Sequence, residues 1–258
     1  MSESEPSFRE RLAAGEVVVG TWSVIPSPWV TEVLAMAGLD FIIVDMEHGP
    51  SGFDVAADMI RAAQLHGCAP LVRVPSLDES AILRALDLGP AGVVIPQVQS
   101  SEDVRRVIEY SKYPPIGQRG HSPFTRSGGF THLDAAAAIE RSNSRTTVGI
   151  LVEGRQGLDA LDEILEAGIG AIDFVYIGLY DLAKSLGFPG DIEHPAVVSE
   201  MAMCVRRTNE AGIVAGTITN SAKAIMELVG TGVRLIAYQN DTGILFNAVK
   251  PVVEALRR

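Results

Sequence analysis

The segment Phe41-Ile-Ile-Val-Asp-Met-Glu-His48 runs from continuous apolar character into Asp45, Glu47 and His48, and Gly49-Pro50 follow at once. Ionisable groups at the end of such a run stand where parallel α/β folds hold their chemistry. The pattern recurs. Arg73 closes Pro70-Leu-Val72, Gln97 follows Gly92-Val-Val-Ile-Pro96, Glu153 closes Val148-Gly-Ile-Leu-Val152, and Asp181 stands just beyond Phe174-Val-Tyr-Ile-Gly178. Two carboxylates with positions left open for water and substrate oxygens suit a hard divalent cation, Mg²⁺ or Mn²⁺, and Glu153 with Asp181 form that pair. Read alone, Asp181 is an N-cap for a helix over Leu182–Leu186. His48 close to Asp45 suits an imidazole oriented by a carboxylate and acting as a base, or a histidine that only caps the strand end. A guanidinium at Arg73, set among apolar residues, must meet a protein carboxylate or an anionic ligand.

The elements that would position these groups alternate along the chain. Strand-like runs cover Val17–Trp22, Phe41–Asp45, Pro70–Val74, Gly92–Pro96, Val148–Glu153, Phe174–Gly178, Ile213–Thr217 and Leu235–Tyr238. Between them, helical spacing marks Trp29–Ala37, Val55–His66, Glu79–Leu88, Glu102–Lys112 and Leu158–Ala167. Uninterrupted apolar runs of strand length imply burial on both faces, and eight of them separated by helices imply one (β/α)₈ barrel domain over residues 1–258. A doubly wound open sheet is the alternative, but the early Gly-rich phosphate turn it usually carries is missing. One stretch breaks the rhythm. Tyr113–Arg145 carries Pro114, Pro115, Gly117, Gly120, Pro123, Gly128 and Gly129, and a connection this long after the fourth strand reads as a lid or substrate loop.

The chain has 258 residues, 47% of them hydrophobic, which supports a large core. Its net charge of −11 argues against general nucleic-acid binding, although Arg73 and Arg119, with Arg126, could hold small anions locally. No apolar segment is long enough to span a membrane, and Met1-Ser-Glu-Ser-Glu-Pro6 has neither the basic nor the apolar region of a secretory leader. A cytoplasmic protein is expected, with Cys68 and Cys204 as buried free thiols.

Several short motifs, spread over the full length, are specific in combination: Gly20-Thr-Trp-Ser23, Asp45-Met-Glu-His48-Gly-Pro50, Val72-Arg73-Val-Pro75, Leu86-Asp87-Leu-Gly89, Pro96-Gln97-Val98, Tyr113-Pro-Pro-Ile-Gly-Gln-Arg-Gly120 and Tyr176-Ile-Gly-Leu-Tyr-Asp-Leu182. On these residues the chain resembles the HpcH/HpaI aldolases, metal-dependent class II pyruvate aldolases on a (β/α)₈ barrel. The resemblance implies cleavage or formation of a carbon–carbon bond between pyruvate, as its enolate, and an aldehyde. It implies Glu153 and Asp181 as ligands of Mg²⁺ or Mn²⁺ (Co²⁺ is also compatible), Arg73 on the keto oxygen, and His48 assisted by Asp45 as general base. Gln97, Gly178, Leu179, Tyr180 and Asp181 would line the substrate. Asp87 would shape the site at a subunit interface, and Thr242–Leu256 would be exchanged between subunits of a homo-oligomer, a hexamer built as a trimer of dimers. No lysine is required for a Schiff base, and none of Lys112, Lys184, Lys223 or Lys250 ends a strand.

The departures from the family pattern gather on the same rim. Leu151-Val-Glu153 replaces Gln-Ile-Glu, Gly178-Leu179-Tyr180-Asp181 replaces Gly-Pro-x-Asp, and Gln239-Asn240-Asp241 replaces Gly-Ser-Asp. His121-Ser-Pro-Phe-Thr-Arg126 also lacks the small residues that usually follow Arg-Gly. These changes imply an altered substrate. Two alternatives stay open: a carbon–carbon lyase acting on another electrophile, such as an acyl-CoA lyase, and a non-catalytic barrel that binds an oxo acid.

Overall fold

The computed structural model describes residues 6–257, so all but Pro6 of the N-terminal stretch expected to lack a secretory leader lies outside the described residues. The elements begin α1 (Phe8–Ala13), β1 (Val18–Ser23), α2 (Pro28–Met36), β2 (Phe41–Asp45), α3 (Phe53–Leu65), β3 (Ala69–Arg73), α4 (Glu79–Asp87), β4 (Gly92–Ile95), α5 (Ser101–Ser111) and α6 (Ala135–Arg145). They continue with β5 (Thr147–Val152), α7 (Arg155–Asp159), α8 (Leu161–Gly168), β6 (Phe174–Ile177), α9 (Leu179–Ser185), α10 (Pro195–Glu210), β7 (Val214–Thr219), α11 (Ala224–Thr231), β8 (Leu235–Asn240) and α12 (Asp241–Leu256). All eight strands are parallel and the sheet closes on itself, β8 pairing with β1 through Val18↔Leu235. This is the expected (β/α)₈ barrel.

Strand residues alternate between two apolar layers, which is why the strands read as unbroken apolar runs. Phe41, Ile43, Leu71, Leu151, Phe174, Tyr176 and Leu235 fill the barrel interior with Trp22, while Val44, Val72, Val93, Ile150 and Val175 pack outward under the helices. Helix α1 closes the end where the strands begin. Its Phe8 packs on Phe41 with ring centroids 5.8 Å apart. Cys68 and Cys204 are free and buried. Among the described residues no helix is long and apolar enough to cross a membrane.

The lid expectation is corrected. Helix α5 already carries the chain from the end of β4 back to the strand-start end of the barrel. The Pro/Gly-rich stretch after it therefore joins a helix to a strand, at the end opposite the rim where the strands finish. Breaker residues mark such a connection but do not say at which end it falls; that depends on whether a helix has already intervened. The latter part of the stretch is itself helical, as α6.

Candidate active site

The period-2 alternation of a strand puts residues two apart on the same side. Ile43 points into the barrel, so Asp45 does too; Leu71 carries Arg73 with it, Leu151 carries Glu153, and Tyr176 carries Gly178. β2 and β3 pair with Asp45 opposite Arg73. The guanidinium forks onto the carboxylate, Nε donating to Oδ1 at 2.9 Å and Nη2 to Oδ2 at 2.5 Å, with both residues buried. Two parallel charge-assisted bonds in so dry a place fix the arginine's orientation, and removing one partner of such a pair costs about 3–5 kcal/mol.

Asp45 Oδ1 also accepts the main-chain N–H groups of Glu47 and His48, at 3.0 and 3.1 Å. This shapes the turn after β2 and corrects the expected Asp45–His48 couple. The carboxylate holds the His48 backbone, while its charge goes to Arg73. The imidazole stands exposed at the rim, with no side-chain partner among the described residues.

Glu47 belongs to the site as much as the residues chosen from the sequence. Its Oε2 lies 2.9 Å from Arg73 Nη1, and its Oε1 accepts from Gln97 Nε2 at 2.8 Å. Gln97 adopts a left-handed backbone (φ 55°), which turns its N–H onto Glu153 Oε1 at 3.0 Å. One continuous network thus runs Asp45–Arg73–Glu47–Gln97–Glu153. Glu47 stood in the Asp-x-Glu-His turn, and the need of a buried arginine for full neutralisation was the signal for it.

Glu153 is closely framed. A Cβ added to Gly178 would fall 2.7 Å from Glu153 Cβ, so only glycine leaves room for that carboxylate. Burial is the largest influence on Glu153 and raises its pKa; the nearby Glu47 and Asp181 push the same way, against the Gln97 N–H and Arg73. Asp181 lies in the first turn of α9, whose N-cap is Gly178, so the capping reading of Asp181 does not hold. Its carboxylate is half exposed, and Lys184 at 3.8 Å is its one counter-charge among the described residues.

These groups surround a cavity of about 320 Å³ at the barrel mouth, lined by His48, Arg73, Glu153, Asp181, Asn240 and Thr242, with Trp22, Leu151 and Tyr176 among the apolar walls. Gly178, Leu179 and Tyr180 also line it, and the Tyr180 hydroxyl accepts from Asn220 Nδ2 at 2.8 Å. Asp45, Glu47, Glu153 and Asp181 set four carboxylates against the single guanidinium of Arg73. The donor set is hard, oxygen-rich and short of positive charge, which fits a divalent cation. Among the described residues no three His, Cys, Asp or Glu side chains converge as an all-protein cage, so Glu153 and Asp181 would leave the remaining positions to water and substrate.

Asp87 is not brought to this cavity. It ends α4 at the strand-start end of the barrel, where it pairs with buried Arg119 at 2.8 Å. Arg119 also lies 4.6 Å from the Tyr113 ring centroid. Arg126 donates to the carbonyls of Leu88 and Gly89 and to Gln64 Oε1. The anion-binding expectation for Arg119 and Arg126 therefore fails at this chain's own cavity, because both sit at the other end of the barrel.

Several known proteins resemble this chain over nearly its full length. A family model described as HpcH/HpaI aldolase/citrate lyase matches residues 19–248. The chain is 30% identical over 247 residues to a hydroxypyruvate/pyruvate aldolase of Roseobacter denitrificans, covering 95% of each. It is 30% identical over 251 residues to a 5-keto-4-deoxy-D-glucarate aldolase of Shigella dysenteriae, covering 97% of this chain and 96% of that one. The crystal structure of an HpcH/HpaI aldolase from Desulfitobacterium hafniense superposes with a TM-score of 0.91 at 29% identity, covering 98% of both chains.

Proposed function

This chain belongs to the HpcH/HpaI aldolase/citrate lyase family, and we propose that it is a carbon–carbon lyase that joins or separates a 2-oxo acid enolate and an aldehyde at the mouth of its barrel. The substrate class is a 4-hydroxy-2-oxo acid, with pyruvate as the enolate half. The carrying observation is the Glu153 carboxylate, flanked by Asp181 and tied through Gln97 and Glu47 to Arg73 around one cavity.

In the cleavage direction a base removes the proton of the C4 hydroxyl, the C3–C4 bond breaks, and its electron pair moves toward the keto group, leaving an enolate and an aldehyde. His48, exposed at the rim and free of side-chain partners among the described residues, is positioned to take that proton. Arg73, held rigid by Asp45 and Glu47, presents its guanidinium to the oxygen on which charge develops. Gly178, Leu179 and Tyr180 shape the walls against the substrate, while Gln97, outside the lining, holds Glu153 and Glu47 in place. Glu153 and Asp181 would hold a divalent cation, Mg²⁺, Mn²⁺ or Co²⁺, whose contribution is Lewis-acid stabilisation of the same developing charge.

Asp87 and the C-terminal helix extend the reading beyond one chain. Asp87 would serve the site of a neighbouring copy in a homo-oligomer, a trimer of dimers, with α12 exchanged between subunits. The test is pyruvate release from a panel of 4-hydroxy-2-oxo acids with Mg²⁺, Mn²⁺, Co²⁺ or chelator present. Metal-dependent release is expected. Silence across the panel, from folded and metal-loaded protein, would overturn the reading in favour of another electrophile or of a non-catalytic barrel.

A further inference from the structure

One buried polar group in the cavity has no task in this scheme. Tyr176, on β6, is 2% exposed and lines the cavity wall. Its hydroxyl oxygen accepts a hydrogen bond across the barrel from Trp22 Nε1 at 2.7 Å. The two rings meet edge to face, 87° apart in plane with centroids separated by 5.2 Å. Trp22 in turn lies under Arg73, whose Cζ is 4.5 Å from the indole centroid. Indole N–H groups only donate, so the phenol spends an acceptor site on Trp22 and keeps its own proton to give. Among the described residues nothing accepts that proton. Leu151, the β5 register partner of Tyr176, and Ile218 contribute no polar side-chain atom to this wall. A buried hydroxyl normally satisfies its donor as well as its acceptor, and here the remaining direction is the cavity.

We propose that Tyr176 is a substrate-contacting residue: its hydroxyl donates a hydrogen bond to an oxygen of the bound 2-oxo acid on the Arg73 side of the cavity, while its oxygen holds Trp22 beneath Arg73. The inference rests on the oxo-acid reading above and adds a second donor to the guanidinium. Burial raises the phenol's pKa above its ordinary value, so the proton stays available as a donor. Because charge gathers on that oxygen as the carbon–carbon bond breaks, such a donor strengthens in the transition state.

The test separates direct donation from support through Trp22. Oxalate, a planar mimic of the pyruvate enolate, is titrated calorimetrically into the Mn²⁺-loaded wild type, Tyr176→Phe, Trp22→Phe and the double variant, and kcat and KM for a turned-over oxo acid are taken alongside. Tyr176→Phe is expected to weaken oxalate about 10- to 100-fold, the range for a hydrogen bond to a charged group, and to do so again on the Trp22→Phe background. The accompanying loss falls mainly on kcat. The double variant removes indole donor and phenol oxygen together, leaving no unpaired buried N–H, so it keeps the comparison valid if Tyr176→Phe alone is poorly folded. Unchanged oxalate affinity, or an effect of Tyr176→Phe that disappears once Trp22 is replaced, overturns the proposal. If the wild type binds oxalate but turns over no oxo acid, the lyase reading fails while the affinity series still decides the role of Tyr176.

Discussion

Glu153 concentrates the electrostatics of the site in one residue. Burial raises its carboxyl pKa, with Glu47 and Asp181 adding to the shift. Between the ordinary carboxyl range and that raised value, the folded chain holds a proton that the unfolded chain has lost, so stability falls as pH rises through this window. Above it the anion is a standing cost to the fold, which a divalent cation relieves. Glu153→Gln is therefore expected to raise the melting temperature of the metal-free protein at neutral pH and to abolish metal-dependent turnover. Mn²⁺ should stabilise the wild type and not the variant. Scanning calorimetry with and without Mn²⁺ checks both; a variant that is still stabilised by Mn²⁺ and still turns over removes Glu153 from the metal site.

At the scale of elements, Asp241 ties the end of β8 to the end of β1 and the loop that follows it. Although it sits in one of the segments that depart from the family pattern, its carboxylate is buried and points into the scaffold. It accepts from Ser23 Oγ at 2.9 Å, from the Val24 and Ile25 N–H groups at 3.0 Å each, and from the Thr242 N–H at 2.7 Å. Asn240, next to it, caps α12 through Gly243 N–H at 2.7 Å and lines the cavity. The segment thus has a structural half and a rim half. Asp241→Ala would strand the buried Ser23 hydroxyl and three partly buried N–H donors, and is expected to cost about 3 kcal/mol in urea unfolding, with the β1–α2 loop loosened beside the cavity. A loss within about 0.5 kcal/mol, the scale of an ordinary surface change, would contradict this assignment.

At the scale of the whole molecule, α12 presents a long exposed apolar face. Of the α12 residues only Asp241 is buried, while Leu245, Phe246, Val249, Val252 and Leu256 stand exposed at helical spacing. Contiguous apolar surface of this kind marks interaction sites, and under the proposed exchange of α12 a second copy would cover it. Phe246→Glu with Val252→Glu is expected to reduce the solution mass measured by light scattering. Asp87 gives a second check. Glu153→Gln and Asp87→Asn subunits, each inactive alone, should regain part of the wild-type rate when unfolded and refolded together, because mixed oligomers contain some sites with both residues intact. No regain would mean that Asp87 serves only its own chain, through Arg119.

Much of this protein is legible in its residues one run at a time. Apolar stretches such as Phe41–Val44 declare strands buried on both faces, and helical spacing between them declares the crossovers, because both signals are local periodicities. Strand direction then places Asp45, Arg73, Gln97, Glu153 and Asp181 on one rim without further information. The Pro/Gly-rich stretch after Lys112 showed that a long connection existed, but its end of the barrel had to be counted from α5. Which carboxylate faced which cation was beyond local reading. Asp45 meets Arg73 because β2 and β3 pair in that register, and Glu47 joins them because the turn folds back. Trp22 reaches Tyr176 only because strands far apart in sequence close into a ring. Periodicity along a chain is set by each residue's own neighbours, whereas contacts across the barrel depend on the stagger and tilt of all eight strands together.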